Sequence, residues 1–185
     1  MKKLLENLLE QDIFKPPTEE ELEQRKIEVF VREYNGKQNP DGSYDFDRSF
    51  DKDDLKLVIK NGKFIIKFGK VKGGFYCSDN NLTSLEGAPK YVGGSFDCFD
   101  NDLTTLEGAP ERVGRDFKCS YNNLTSLKGA PERVEGYFNC SDNQLTSLEG
   151  APKYVGWDFY CRRNKKKFTE EEVRKVSEVK GKIIV

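Results

Sequence analysis

The chain has 185 residues, with 31 lysines and arginines, 32 aspartates and glutamates, and no histidine. The resulting net charge of −1 provides no overall field that would attract DNA or an anionic membrane surface. The lack of histidine removes the most common general base and the most common metal ligand. No apolar run is long enough to span a membrane. These features favour a non-catalytic protein that works outside the membrane and without a metal ion or cofactor.

Residues 1–70 are predicted to form an N-terminal cap of two helices followed by a degenerate repeat. The first helix is indicated by apolar residues at helical spacing, which are Leu4, Leu5, Leu8, Leu9 and Ile13. Pro16 and Pro17 end this helix, and Thr18 with Glu21 has the spacing of a capping box for the second helix. The second helix carries an apolar stripe, formed by Ile27, Phe30, Val31 and Tyr34. A cap is expected because the end of a solenoid exposes apolar core.

The degenerate repeat is predicted to lie immediately before the regular array. Phe50 falls near the position that cysteine takes in the later repeats, and Leu55 and Val58 fall near the repeat leucines. Asn61 and Gly62 lie between two apolar segments and have the sequence of a tight hairpin turn. Two arrangements of residues 44–70 stay open: they pair with the array as one strand, or they form a hairpin.

Residues 71–164 form the most regular part of the chain. One cysteine recurs every 21 residues, at Cys77, Cys98, Cys119, Cys140 and Cys161. The first copy reads VKGGFYCSDNNLTSLEGAPKY, the fourth reads VEGYFNCSDNQLTSLEGAPKY, and a fifth breaks off after VGWDFYCRRN. A fixed period of about 20–29 residues is typical of a solenoid in which each repeat contributes one strand. The phenylalanine and cysteine of each copy have period two, so both are expected to face the core from a short parallel sheet on the concave face.

Residues 165–185 are predicted to form a C-terminal cap of one helix and one strand. Thr169 with Glu172 has the spacing of a capping box. The helix is expected to present one face of valines, at Val173, Val176 and Val179. Gly181 is expected to end the helix, and the final residues, KIIV, to form a last strand.

The motif Phe-x-Cys-x-x-Asn-x-Leu, as in Phe75, Cys77, Asn80 and Leu82, resembles the core of leucine-rich repeats. More narrowly, the array resembles uncharacterised bacterial and bacteriophage proteins built from LTSLEGAP-type repeats with a cysteine strand. The resemblance implies an α/β leucine-rich-repeat solenoid with a binding role, a bacterial or phage origin, and no reaction. The odd number of cysteines, all at one repeat position, favours reduced thiols and a cytoplasmic location.

Three columns of equivalent residues run through the array. The cysteines are expected to pack as small hydrophobic side chains, because no C-x-x-C pair indicates a metal site. A column of asparagines is expected to hydrogen-bond backbone groups at the turn after each strand; it comprises Asn80, Asn101, Asn122, Asn143 and Asn164. An acidic column at Asp79, Asp100 and Asp142, interrupted by Tyr121 and Arg163, is interpreted as a solvated edge rather than a calcium or acid–base site.

The residues that flank the phenylalanine and cysteine vary between copies, whereas the core positions barely change. Packing holds the core positions, so the varied residues are free to be shaped by a partner. Aromatic residues and arginine are common anchors of protein interfaces. The predicted binding residues are Tyr76, Asp97, Phe99, Asp116, Lys118, Tyr121, Tyr137, Asn139, Asp158, Tyr160 and Arg162. The predicted function is therefore non-catalytic binding of a partner protein through the concave face, with action of a phage or bacterial protein on a host factor as an extension.

Other functions stay open. In one, the array or its edge strands assemble with copies of itself or with a larger particle, although a monomer is the expected state. In another, the aromatic rings beside aspartate and asparagine bind a carbohydrate. The basic run at 162–167 would contact phosphates. It lacks interleaved aromatic residues and a nucleic-acid-binding motif, so nucleic acid is not the expected partner.

Overall fold

Two parallel sheets around a shared core make up most of the protein, in a computed structural model that describes residues 16–185. Seven parallel strands of the larger sheet mark about seven stacked coils, and helices are few. The predicted repeat solenoid is confirmed as a β-solenoid. The predicted first helix, with Leu4 to Ile13, lies outside the described residues.

The smaller sheet has six parallel strands, one from each of six successive coils. They are β6 (Phe75–Tyr76), β8 (Phe96–Asp97), β10 (Phe117–Lys118), β12 (Phe138–Asn139), β14 (Phe159–Tyr160) and β16 (Ile183–Ile184). Equivalent residues of neighbouring coils pair directly, so that Phe96 lies between Phe75 and Phe117. The register within the array follows from the 21-residue period, because coils of constant length return the chain to the same position.

A second parallel sheet, which the sequence analysis did not predict, runs through the residues that precede each phenylalanine strand. Its strands in spatial order are β1 (Lys37–Gln38), β2 (Tyr44–Phe46), β5 (Phe68–Val71), β7 (Tyr91–Val92), β9 (Arg112–Val113), β11 (Arg133–Val134), β13 (Tyr154–Val155) and β15 (Glu178–Val179). Only β1 pairs antiparallel, with β2. The strands of the regular array have one outward residue and one buried valine. Two residues are too few to show an alternating pattern in the sequence.

The described residues include three helices, in the terminal parts of the chain: α1 (Glu19–Glu33), α2 (Lys52–Lys56) and α3 (Glu170–Val176). The capping boxes of Thr18 with Glu21 and of Thr169 with Glu172 are both present. The short helix α2 was not expected, because its capping box is built from Asp51 and Asp54 rather than from a threonine and a glutamate. Within residues 16–185, no helix is long and apolar enough to cross a membrane.

Residues 44–70 combine both arrangements that the sequence leaves open. β5 pairs with β7 of the array and, on its other side, with β2, while β3 (Ile59–Lys60) and β4 (Lys63–Phe64) form a hairpin. Asn61 and Gly62 have positive φ angles of 50° and 71°, as this two-residue turn requires. Phe50 was predicted to lie near the cysteine position; it pairs with Phe75 and so takes the phenylalanine position, two residues before the cysteine. The aromatic ring of Phe50 instead continues the row of phenylalanines, with its centroid 6.2 Å from that of Phe75.

The C-terminal helix differs from its prediction. It ends at Val176 and not at Gly181. Val179 lies in β15 rather than on a helix face, because Glu178 and Val179 pair with β13 and complete a further coil. Val176 is 42% exposed, since it no longer belongs to a continuous apolar face. The final strand is present as β16.

The core is a ladder of equivalent side chains inside the coils. The rings of Phe75, Phe96, Phe117 and Phe138 stack at centroid separations of 5.3 to 5.7 Å with nearly parallel planes. The repeat cysteines and leucines are buried beside them, which confirms the predicted inward side of each strand. Because side chains alternate along a strand, this ladder fixes the outward direction of the neighbouring residues.

Candidate functional site

We call the side of the six-stranded sheet that points away from the phenylalanine ladder the outer face. Its central column holds the second residue of each strand, namely Tyr76, Asp97, Lys118, Asn139 and Tyr160. Neighbouring members of the column pair directly, as Asp97 does with Lys118. Residues 21 positions apart in the sequence therefore lie one strand apart, a separation of about 4.8 Å.

A depression of about 540 Å³ lies on the outer face, over strands β8 to β14. Eight of the eleven predicted binding residues line this depression: Asp97, Phe99, Lys118, Tyr121, Tyr137, Asn139, Tyr160 and Arg162. These residues come from four successive copies of the repeat, which the constant coil length places side by side. The structure thus brings most of the predicted set into one surface.

Two aromatic pairs contribute to the depression. Phe99 and Tyr121 have ring centroids 5.2 Å apart, and Tyr137 and Tyr160 have centroids 5.8 Å apart. Both pairs are arranged edge to face, which is a favoured geometry for aromatic rings. Phe99 and Tyr121 are 36% and 48% exposed, so part of each ring faces solvent.

Lys118 lies beside the second pair. Its Nζ is 5.7 Å from the ring centroid of Tyr137 and 3.3 Å from Oδ2 of Asp97. Burial lowers the pKa of Lys118, but contact with the Tyr137 hydroxyl and the charge of Asp97 outweigh burial and raise that pKa overall. A hydrogen bond to Asp158 raises the pKa of Tyr160. Both groups therefore keep their protons at neutral pH. Lys118 has three N–H donors, whereas Tyr160 already donates its one hydroxyl proton to Asp158.

Four residues outside the predicted binding set also line the depression: Ser120, Ser141, Asp142 and Arg163. Arg163 makes two contacts with Asp142, Nε to Oδ1 at 2.5 Å and Nη2 to Oδ2 at 2.9 Å. Its Nη2 also donates to the Tyr121 hydroxyl at 3.4 Å. The repeat pattern holds a signal for these residues. Ser120 and Ser141 take the position directly after the repeat cysteine, which Phe99 and Arg162 also take, and Asp142 and Arg163 come one residue later.

Backbone conformation explains the aspartates in the column that the sequence analysis interprets as a solvated acidic edge. Its five members, Asp79, Asp100, Tyr121, Asp142 and Arg163, all have left-handed conformation, with φ between 51° and 55°. Aspartate tolerates this conformation better than most residues, which accounts for the acidic members. Tyr121 and Arg163 are the two residues that the backbone conformation does not favour. Both of them line the depression.

Three predicted binding residues do not line the depression: Tyr76, Asp116 and Asp158. Tyr76 is 38% exposed, but it lies in β6 at the N-terminal end of the sheet. Its ring lies over Gly74, where an added Cβ atom would be 2.6 Å from ring carbons.

Asp116 and Asp158 join successive coils. The Oδ1 atom of Asp116 accepts a hydrogen bond of 3.1 Å from the backbone N–H of Tyr137. A Cβ atom added at Gly136 would lie 2.2 Å from this oxygen and 2.8 Å from the backbone of Arg115, so the aspartate and the adjacent backbone together favour a glycine in the next coil. Asp158 and Gly181 repeat the relationship, with a corresponding distance of 2.3 Å. Variation at these positions therefore has an internal cause and does not need a partner to explain it.

The asparagine ladder supports the turns beside the depression. Asn122 Oδ1 accepts from the backbone N–H of Leu103 at 3.0 Å. Its Nδ2 donates to three carbonyl oxygens, those of Cys98, Cys119 and Ser120. Asn101 and Asn143 make equivalent sets of bonds to their own neighbours. The predicted role of this column, which is to satisfy backbone groups between coils, is confirmed.

The five cysteines are free thiols buried beneath the outer face. Burial raises the pKa of the Cys98 and Cys119 thiols well above the ordinary range. The Cys98 Sγ lies 3.3 Å from the Lys118 carbonyl oxygen of the next coil and donates to it. These thiols therefore pack as the small hydrophobic side chains that the sequence analysis predicted. Among residues 16–185, no three His, Cys, Asp or Glu side chains cluster closely enough to form a metal site.

Comparison of the chain with protein-family models, with curated proteins and with solved structures finds no match. The functional proposal therefore depends on the geometry and chemistry of the outer face.

Proposed function

We propose that the protein binds a partner protein through the depression on its outer face. The observation that carries this proposal is the presence of Tyr121 and Arg163 at left-handed positions that the other copies fill with aspartate. Such a conformation costs a bulky residue on the order of 1 kcal/mol. Both side chains form part of the depression. Binding accounts for two residues that the backbone disfavours.

The composition of the depression supports a protein as the ligand. Exposed aromatic rings offer apolar area, while Lys118 and Arg163 offer hydrogen-bond donors whose positions are fixed by Asp97 and Asp142. Aromatic and charged side chains of this kind are typical anchors of protein interfaces. Fixing the side chains before binding reduces the entropy that is lost in the complex.

The basic run at 162–167 supports a protein over a nucleic acid. Arg163 pairs with Asp142, and Lys166 pairs with Glu172 at 2.7 Å. Two of the basic residues are thus balanced by local carboxylates, which weakens the attraction of the run for phosphates.

We also propose that the coils are of the leucine-rich-repeat class and related to the LTSLEGAP-type bacterial and phage repeats. The Phe-x-Cys-x-x-Asn-x-Leu motif supports this assignment. The asparagine ladder supports it as well, because each asparagine bonds backbone groups of two coils. We further propose that the protein is non-catalytic and acts in the cytoplasm.

The test is affinity capture from a lysate of the source organism, followed by mass spectrometry. The outer-face variant carries Phe99→Ala and Tyr137→Ala. The matched control is Tyr91→Ala, which removes an aromatic ring that is 38% exposed on the larger sheet. Circular dichroism checks that both variants are folded. The proposal expects one protein to be captured by wild type and by the control, and lost by the outer-face variant.

Equal capture by all three proteins would place binding elsewhere and contradict the proposal. Absence of any captured protein would contradict it as well. In that case, light scattering of the purified wild type would decide whether the outer face serves self-assembly instead of partner binding, because an oligomer is expected only for self-assembly.

A further inference from the structure

One column of the outer face forms a trough through the depression. Its members take the position directly after the repeat cysteine in four successive coils: Phe99, Ser120, Ser141 and Arg162. The backbone N–H that follows each member donates to the carbonyl oxygen of the next member, at 2.9 to 3.2 Å. The two serines are small and buried, whereas Phe99 and Arg162 are exposed. The column is therefore low in the middle and bounded at each end by a large side chain, and we call it the serine trough.

The serine trough presents hydrogen-bond donors along its length. The Ser141 Oγ accepts from the backbone N–H of Arg162 at 3.1 Å and can still donate its own proton. In the neighbouring column, Asn139 Oδ1 accepts from the backbone N–H of Ser141 at 3.1 Å, which leaves the two N–H groups of its amide for a ligand. The middle of the trough thus suits the carbonyl groups of a peptide backbone.

The cations of the depression differ in their partners. Lys118 is paired with Asp97, and Arg163 is paired with Asp142. Within residues 16–185, Arg162 is the one cation of the depression that forms no ion pair. A guanidinium group binds a carboxylate through charge-assisted hydrogen bonds and often through two of them at once. The Arg162 end of the trough therefore suits a carboxylate supplied by the ligand.

The length of the serine trough sets the size of its ligand. Phe99 and Arg162 lie three strands apart, which corresponds to about 14 Å at the usual strand spacing. An extended chain rises about 3.3 Å per residue, so about four residues cover this distance. The volume of the depression, about 540 Å³, is also that of a small-ligand site. A short segment of a partner therefore fills the trough.

We propose that the depression binds a short extended segment of the partner protein, with an apolar side chain at the Phe99 end and an aspartate or glutamate at the Arg162 end. The inference rests on the proposed function and names the part of the partner that the site recognises. The apolar side chain packs against the rings of Phe99 and Tyr121, which are 5.2 Å apart. The acidic side chain pairs with the guanidinium group about four residues further along the segment.

Selection from a library of random octapeptides tests this proposal, with the full-length wild type as bait. Both peptide termini are blocked, so that side chains supply every carboxylate. The selected peptides are expected to share a large apolar residue about four positions from an aspartate or glutamate. Each is then synthesised with the acidic residue and with its amide counterpart, and dissociation constants are measured by fluorescence anisotropy. The amide form is expected to bind wild type about fivefold or more weakly than the acidic form.

Two variants show whether Arg162 causes this preference. Arg162→Gln is expected to bind the acidic and amide forms with equal affinity. Lys165→Gln is the matched control, because it removes the same charge from an exposed position outside the depression. The control is expected to keep the preference of wild type for the acidic form. Circular dichroism checks that both variants are folded.

Several results would overturn the proposal. They are the selection of no peptide, selected peptides without an acidic residue, and a preference for the acidic form that survives Arg162→Gln. A preference that Lys165→Gln also removes would reflect net charge and would overturn the proposal as well. The proposed function is judged separately. A protein captured by wild type and lost with Phe99→Ala and Tyr137→Ala would support binding at the depression even if the peptide results fail.

Discussion

The two sides of the six-stranded sheet are built from the same strands but follow different rules. On the inner side, phenylalanine and cysteine recur in every copy of the array and stack on themselves. On the outer face, the residues differ from copy to copy. Some of these differences belong to the fold, since Asp116 is matched to Gly136 and Asp158 to Gly181. Variation becomes an argument for function only after such internal causes have been removed.

The residues around the depression vary between copies without an internal cause of this kind. The fold does not require Phe99, Tyr121 or Arg163, and the backbone conformation disfavours the last two. The comparison therefore predicts large losses of stability for changes on the inner side and small ones for changes at the depression.

The largest effect is expected for Phe117→Ala. The ring of Phe117 is fully buried and lies between those of Phe96 and Phe138. Its removal is expected to lower the free energy of unfolding by about 3–5 kcal/mol. Urea unfolding followed by circular dichroism measures this change. Lys118→Ala is the control on the adjacent outward position, with an expected loss below about 1 kcal/mol. Equal losses would mean that the two sides do not differ as described.

A loss of about 2–3 kcal/mol is expected for Asn122→Ala. The substitution leaves the backbone N–H of Leu103 and several carbonyl groups without their partner. Thermal melting and urea unfolding report the effect. The neighbouring Asn123 is exposed, so Asn123→Ala is expected to change the free energy of unfolding by less than about 0.5 kcal/mol. A melting temperature of Asn122→Ala equal to that of wild type would contradict the role of the ladder.

The sequence was sufficient for the period, the inward residues and the asparagine ladder, because each depends on a pattern that repeats along the chain. It was not sufficient for the second sheet, whose strands in the array, such as Tyr91–Val92, are too short to show alternation. The left-handed column was also hidden, since Asp79 and Asp142 resemble a charged edge until their φ angles are known.

Within the candidate site, the period placed eight residues together but did not distinguish binding residues from those that join coils. The role of Asp116 depends on a hydrogen bond from the backbone N–H of Tyr137. Every residue type except proline offers this group, so the sequence does not indicate the bond. Only the structure shows that Arg163 reaches back to Asp142 and Tyr121.

A smaller effect, about 1–3 kcal/mol, is expected for Gly136→Ala because its Cβ atom would overlap the Asp116 carboxylate. The double variant Asp116→Ser, Gly136→Ala removes the overlap with the carboxylate and leaves the close backbone contacts of the new Cβ atom, at 2.8 Å to Arg115 and 2.9 Å to Asp116. The cost of the alanine is therefore expected to be lower in the serine background. A double-mutant cycle by urea unfolding measures the coupling. Strict additivity of the two changes would show that the aspartate and glycine are independent.

The smallest change in stability is expected for the double variant Tyr121→Asn, Arg163→Asn. Asparagine tolerates the left-handed conformation, so relief of strain offsets two losses: the Phe99 contact, and the ion pair between Arg163, whose side chain is 70% exposed, and Asp142. The free energy of unfolding is expected to stay within about 1 kcal/mol of the wild-type value. A loss of several kcal/mol in urea unfolding would mean that these two residues serve the fold.

The central claim is that Tyr121 and Arg163 serve binding of a partner protein. It is tested most directly by the affinity of the same double variant for the protein that wild type captures. Titration by calorimetry at matched ionic strength gives both dissociation constants. The account predicts that the folded variant binds about tenfold or more weakly than wild type. Equal affinity of a folded variant would contradict it, because the strained residues would then contribute neither to stability nor to binding.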